Sequence, residues 1–489
     1  MKVKNPADSS LGWGKRKFET IELDLEKRNA IKEAIQESYG AYERDAFFII
    51  DSLDTLLLTG LNDEYERARE WVKDLSFDLD DKYHNFEITI RVLGGLLSAY
   101  HHSGNDTMYL DKAVDLAQRL LPVFDSPSGI PYSFINLKTR KAIPDMDNNG
   151  FASIAEAATL QLELKYLSEL TGDTIYWEKA EKVMQVIAAQ KKRDGLVPIF
   201  ISLESGGLVF SDIRLGSRAD SYYEYLIKQY LQTNQTEPLY LDMWNEAVEG
   251  IKNNLLKNST SGLMYTSELQ PARSNTGPGY ILKNVPKQDH LVCFIGGTLM
   301  LGVTFGSGST PPNRLNFTDI ERSNFDIGEG LIKGCVDTYS KSKTGLAPEI
   351  VNWFIEKSDS NALGRDWFIN SRAQAAPNPP IDARNILRPE TVESLFMAYR
   401  MTGDPIYRKW GWNIFQSFRE HARLKNGAYA SILDVDKLPI KLEDKMETFW
   451  ISETLKYLYL LFSEKDLIPL DKYVFNTEAH MLPIFTPTR

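Results

Sequence analysis

The sequence predicts an all-α fold, one closed toroid of helical hairpins, on three observations. Apolar residues recur at three- and four-residue spacing along most of the chain, the mark of amphipathic helix. Strand-like alternation is scarce and confined to short pieces such as 196–200. The helix junctions also repeat: Ser103-Gly104-Asn105, Thr171-Gly172-Asp173 and Thr402-Gly403-Asp404 each end an apolar helix, and each runs shortly into a tyrosine, Tyr109, Tyr176 or Tyr407, that opens another. The glycine suits a left-handed C-cap, and the Asp or Asn suits the turn or the next N-cap. A degenerate fourth copy spans 230–240. Hairpins repeated over the whole chain argue for one large array, although 489 residues divided by a typical domain length suggests about three domains. Residues 1–30 read as a polar N-terminal extension and 31–489 as a single domain.

Taken in order, the periodicity predicts helices over 90–100, 152–170, 221–231, 391–401 and 452–462. Gly94-Gly95 lowers helix propensity within the first of these, which implies close helix–helix approach there. The Gly/Ser/Pro run at 306–312 reads as a loop.

Composition excludes several classes. With 56 Lys+Arg against 67 Asp+Glu, the net charge of −11 argues against binding a phosphate backbone, hence against a nucleic-acid partner. Two cysteines and six histidines leave no disulfide framework and little material for zinc. No membrane-spanning stretch or signal peptide is visible. Four Asn-x-Thr acceptors, at Asn105, Asn234, Asn258 and Asn316, hint at a secretory history.

The chemistry-bearing signal is acid set within apolar helices. Glu87 and Arg91 are four residues apart, on one helical face. Glu390 opens a helix after Pro389, at the positive end of its dipole, with Glu393 one turn on. Those two carboxylates repel unless something cationic or hydrogen-bonding lies between them. Asp220 and Glu224 repeat the pattern; taken alone, Asp220 reads as an N-cap. Asp51, Asp54, Glu156 and Glu453 also sit in apolar surroundings. Each reads singly as a solvated or capping carboxylate. Together they suggest an acid-lined cavity inside a helical ring, with Phe449-Trp450 available to stack on a sugar. Two compatible chemistries follow: glycoside hydrolysis by a carboxyl pair, and binding of a divalent cation by oxygen ligands.

The residues resemble a known family. IIDSLDTLL (49–57), FEITIRVLGGLLSAYH (86–101), PSGIPYS (127–133), LGSRADSYYEYLIKQY (215–230), DHLVCF (289–294), GLAPEI (345–350), LRPETVESLF (387–396) and FNTEAH (475–480) are similar to motifs of the class I α-1,2-mannosidases, glycoside hydrolase family 47. The likeness runs from about Phe47 to the C-terminus and implies an (αα)7 barrel. It implies an inverting, Ca²⁺-dependent exo-α-1,2-mannosidase acting on high-mannose N-glycans of glycoproteins in the endoplasmic reticulum, as a monomer. The resemblance implies that the chain runs about twenty residues shorter than the family at 42–47.

The resemblance implies Glu87 as general acid acting through a water, Glu390 as general base, and Asp220 as a third essential carboxylate. It places one Ca²⁺ on the hydroxyl and carbonyl of Thr477. Glu156, Glu224, Glu393, Glu453 and Glu478 surround that ion, most of them through water. Asp51, Arg91, His290, Arg388 and Phe449 fall at substrate-contact or site-ordering positions. Arg218 matches the arginine of the endoplasmic-reticulum branch, which implies removal of one mannose from Man9GlcNAc2 to leave Man8GlcNAc2. Cys293 and Cys335 match positions that are disulfide-bonded in some members; two free thiols are the alternative. An acid that works near neutrality needs a raised pKa, so Glu87 is expected to be buried among carboxylates, with Arg91 paired mainly elsewhere. A mannose-binding, degradation-enhancing lectin on the same barrel is the alternative function.

Overall fold

A computed structural model describes residues 21–42, 46–274, 277–307, 316–355, 364–370 and 380–488. The first twenty residues, most of the loop expected at 306–312, and residues 43–45 at the shortened junction lie outside the described residues.

Among the described residues, seven helices form an inner ring: Ala46–Thr59, Gly94–His102, Gln161–Thr171, Asp220–Gln232, Ile295–Thr304, Glu390–Thr402 and Lys456–Leu461. Each packs on the next, and Trp450–Leu455, leading into the last, packs back on the first and closes the ring. Outside them lie Asn62–Lys73, Thr107–Leu120, Thr174–Ala188, Pro238–Gly250, Asp319–Ser340 and Pro405–His421, each following its inner partner. Leu25–Tyr42 completes the outer layer by packing on Lys456–Leu461, so the N-terminal helix seals the last hairpin. The expected toroid is present, with a continuous apolar core between the layers.

The junction chemistry is as the repeats predict. Gly172 and Gly403 are left-handed C-caps at φ 72° and 67°, and Asp173 and Asp404 accept from the N–H two residues on. In the first copy the turn is one residue longer: Asn105 is itself left-handed at φ 70°, and Asp106 takes the N-cap. Tyr109, Tyr176 and Tyr407 are buried, each contributing about 2 kcal/mol of apolar burial.

Because the turns are short, inner and outer helices are antiparallel, and the inner helices all begin at one end of the barrel. That end carries the short sheets. A C-terminal hairpin, Tyr473–Phe475 with Met481–Pro483, enters the bore against Gly94–His102 and Asp220–Gln232. Gly94 makes room for it, since a Cβ there would lie 2.6 Å from Asn476 Nδ2, while Gly95 lets the neighbouring helix Ala46–Thr59 approach, a Cβ there lying 2.8 Å from the Ile50 carbonyl.

Two expectations need correction. The helix read over 152–170 is broken: Ala152–Ser153 is strand, Ile154–Ala158 a short helix, and Gln161–Thr171 a separate one. The Gln161 side chain accepts from the Leu160 N–H and Thr159 bonds Ser221, so side chains take up the polar groups at the break. Trp450 is fully buried, donates to Ser38 and packs on Phe418 and Tyr429. It is core, and no sugar reaches it.

Candidate active site

A cavity of about 300 Å³ opens where the inner helices begin. Asp220 and Glu390 are the first residues of their helices, Glu156 lies in the first turn of its own, and Phe449 is the N-cap of Trp450–Leu455. The positive helix ends therefore converge on the acids, which favours their charged forms. Two left-handed residues aim the chain into these helices: Arg218 at φ 76°, ahead of Asp220, and Leu387 at φ 68°, ahead of Glu390.

Glu390 is held as a carboxylate. Burial pushes its pKa up, but the His290 hydrogen bond at 2.7 Å and the Arg388 charge at 3.7 Å more than offset that, leaving it below the usual range. Arg388 is itself anchored by Glu349, whose two oxygens accept from its Nε at 2.8 and 2.9 Å. The opposite happens at Asp220. Loss of hydration, with repulsion from Glu224 and Glu390, pushes its carboxyl up to about 7.

Glu87 departs from expectation. Its side chain is 42 % exposed and accepts from Arg91 Nε at 2.7 Å, so neither the expected burial nor the expected distance from a cation is found. Arg91 is shared among three acids, Glu87, Asp51 and Glu478. It projects from a π-helical turn, Ile88–Leu93, of the kind that recurs at functional sites. Phe449 lines the cavity with both Arg91 and Arg388 5.8 Å from its ring centre.

Glu87, Arg91, Glu156, Arg218, Asp220, Glu224, Arg388, Glu390, Glu393, Phe449, Glu453, Thr477 and Glu478 all line this one cavity. Asp51 and His290 do not. Both are buried behind the wall, Asp51 bonding Arg91, Thr448 and His480, and His290 bonding Glu390 and Tyr339. Each reaches the cavity through a side chain that does line it, Asp51 through Arg91 and His290 through Glu390. Asp220 is no N-cap; among the described residues it bonds the next residue, at the Ser221 N–H and hydroxyl. Cys293 and Cys335 form a disulfide, with Cα atoms 5.9 Å apart, joining the approach to one inner helix to the outer helix behind it.

Several residues escaped sequence reasoning. Lys228 meets Glu224 and lies 3.5 Å from Glu393, supplying the cation the Glu390–Glu393 spacing demands. His84 lines the cavity and faces Glu156 at 3.6 Å. Asn148 accepts from Arg218 at 2.6 Å, while Phe200 packs under the same guanidinium at 5.2 Å. His480 bridges Asp51 and Asp54, each at 3.1 Å, beneath the turn that carries Thr477. Glu349 and His480 lie inside the GLAPEI and FNTEAH motifs, so the signal was present; Lys228 carried the i, i+4 spacing from Glu224.

The acids around Thr477 are too crowded and too buried for all of them to ionise beside the cations the protein supplies. Burial pushes Glu393 up to about 8, with Lys228 only partly opposing it, and burial plus repulsion from neighbouring carboxylates raises Glu453 and Glu478 well above the carboxylate range. Such a cluster fits a hard divalent cation. Among the described residues no three acid, imidazole or thiol side chains converge as a direct metal cage. A cation here would take hydroxyl, carbonyl and water oxygens, with carboxylates further out. Thr477, at the tip of the hairpin turn and lining the cavity, offers the first two.

An ionised carboxylate and a proton-bearing carboxyl facing one sugar-sized cavity form an acid–base pair suited to glycosidic cleavage. Comparison with known proteins decides the family, since glycosyl hydrolase family 47 matches residues 13–484. The chain belongs to that family. Among its family 47 relatives, a mannosyl-oligosaccharide 1,2-α-mannosidase of Candida albicans is 49% identical over 452 residues, covering 90% of this chain and 76% of the relative. A human endoplasmic reticulum mannosyl-oligosaccharide 1,2-α-mannosidase is 45% identical over 446 residues, covering 90% of this chain and 58% of the relative. The solved α-1,2-mannosidase from Trichoderma reesei superposes with a TM-score of 0.81 at 28% identity, covering 95% of this chain and all of that one. Among the described residues no helix is long and apolar enough to cross a membrane.

Proposed function

We propose that this family 47 chain is an inverting exo-α-1,2-mannosidase that trims high-mannose N-glycans of glycoproteins in the endoplasmic reticulum, taking Man9GlcNAc2 to Man8GlcNAc2. The observation that carries the reading is the split between Glu390, kept ionised by His290 and Arg388, and Asp220, kept protonated to about pH 7, in one cavity.

In the mechanism, Glu390 accepts a proton from a water attacking the anomeric carbon, while a proton reaches the departing glycosidic oxygen from the other side. Asp220 is the group best able to hold that second proton. Glu87, half-buried and tied to Arg91, passes or orients it through a water. Phe449, braced by two guanidinium groups, offers an apolar face to the ring, and Arg218 forks onto hydroxyls of the remaining branch. Thr477 would hold Ca²⁺ through its hydroxyl and carbonyl, with Glu224, Glu393, Glu453 and Glu478 around it. Such an ion, when bound, orients vicinal hydroxyls and offsets the buried negative charge.

The test is incubation with Man9GlcNAc2 in calcium and in EDTA, following released mannose. Release of one mannose in calcium and loss in EDTA supports the reading. A folded protein that binds the glycan without turnover would favour the lectin alternative.

A further inference from the structure

The catalytic reading leaves the four Asn-x-Thr sequences unused, and the barrel topology sorts them. Asn105 lies in the turn between Gly94–His102 and Thr107–Leu120, and Asn234 in the turn between Asp220–Gln232 and Pro238–Gly250. Asn316 lies just before Asp319–Ser340, on the connection from Ile295–Thr304. All three connections run from an inner helix to its outer partner. Since every inner helix begins at the cavity, all three sit at the opposite end of the barrel. Asn258 differs, because it ends the strand Leu256–Asn258 after an outer helix has returned to the cavity end.

We infer that Asn105, Asn234 and Asn316 are N-glycosylation sites that make the barrel end opposite the cavity a glycan-bearing face. This rests on the secretory-compartment part of the reading above. Three observations support it. Each asparagine is exposed, so a bulky polar glycan meets solvent there and not the core. Asn234 donates from Nδ2 to Thr486 Oγ1 at 2.9 Å, and a glycosylated amide keeps one N–H to preserve that bond. The buried Cys293–Cys335 disulfide belongs to an oxidising compartment, where this modification is made. Asn258 is left outside the inference, since it faces the cavity end and its Thr260 hydroxyl is buried.

The transfer balances with a polyprenyl diphosphate-linked oligosaccharide as donor. The asparagine Nδ2 forms a bond to C1 of the first sugar and the C1–O bond to diphosphate breaks. The lipid diphosphate leaves with that electron pair, and the amide gives up one proton to a base of the transferase. Glycans rooted on this face point away from the cavity and leave its opening clear.

The experiment expresses the full chain behind a cleavable secretory leader in a eukaryotic host. Peptide-N-glycosidase in heavy-oxygen water then marks each formerly glycosylated asparagine as labelled aspartate for peptide mapping. Label at Asn105, Asn234 and Asn316 is expected, as is one glycan mass step lost in each of Asn105→Gln, Asn234→Gln and Asn316→Gln. The kcat/KM for mannose release is expected to be unchanged after deglycosylation of the folded enzyme. Protein that is active and disulfide-bonded yet unlabelled at these positions overturns the inference and leaves the catalytic reading standing. Labelled protein without mannose release does the reverse. Loss of activity on deglycosylation of protein that stays folded overturns the claim that this face is remote from the cavity.

Discussion

Nδ1 of His290 lies 2.7 Å from Oε2 of Glu390, while Nε2 of the same ring lies 2.9 Å from the Tyr339 hydroxyl. The imidazole thus fixes one face of the carboxylate that the reading makes the general base. Burial raises Glu390, and this bond with the Arg388 charge brings it below its ordinary value. Replacing His290 by Asn removes one of those opposing contributions. The acidic limb of the kcat/KM–pH profile should then move up by about one pH unit, with activity near neutrality much better retained than at low pH. A uniform loss at every pH would mean that His290 serves packing alone.

On the proposed mechanism the basic limb of that profile is set by Asp220. Its pKa is raised to about 7, so the proton is present below that value and lost above it. Activity should fall with a slope approaching tenfold per pH unit above about 7. Asp220→Asn should remove that limb together with most of the turnover. A profile flat to about pH 9 would contradict this assignment.

Glu87→Gln and Glu390→Gln should each lower kcat by more than about a hundredfold, measured as mannose release. Glu87→Gln keeps the packing, because Arg91 retains Asp51 and Glu478 as partners. A normal Tm for this variant would separate lost chemistry from lost structure.

Cation binding should couple to pH. Glu393 has a folded pKa of about 8 against an ordinary 4.5, so folded protein binds more protons between those values. Its contribution to stability is full below about pH 4.5 and is lost as pH rises toward 8. A divalent ion beside the ionised carboxylates reverses that loss. Calcium should therefore raise Tm more at about pH 8 than at about pH 5.5, and EDTA should remove the difference. An equal increment at both pH values would place the ion elsewhere.

Gly95 tests how the bore is packed. A methyl there lies 2.8 Å from the Ile50 carbonyl, which is backbone and has little freedom to yield. Gly95→Ala should cost about 1–3 kcal/mol of stability in chemical denaturation, while Gly104→Ala, with open space around it but φ 80°, should cost only backbone strain.

The ring itself was legible because its signals are local. Gly172–Asp173 and Gly403–Asp404 announce a cap and a turn within a few residues, and Gly94–Gly95 announces a close approach. Most of the cavity was legible too, since an acid inside an apolar helix stands out wherever it sits. What stayed hidden is pairing over long separations. Arg91 meets Glu478 and Thr448 only because the ring closes, and Arg218 meets Asn148 only because adjacent hairpins bring their connections together. The part-exposure of Glu87 and the raised pKa of Asp220 likewise follow from how deeply each group is buried and which acids surround it, which no local pattern states.

The anomeric form of the first mannose released tests the account most directly. Proton NMR of Man9GlcNAc2 digestion in calcium should show β-mannose appearing first and then equilibrating to the α form, as attack by a water activated at Glu390 requires. Initial release of α-mannose, or no release from folded, calcium-bound protein, would contradict it.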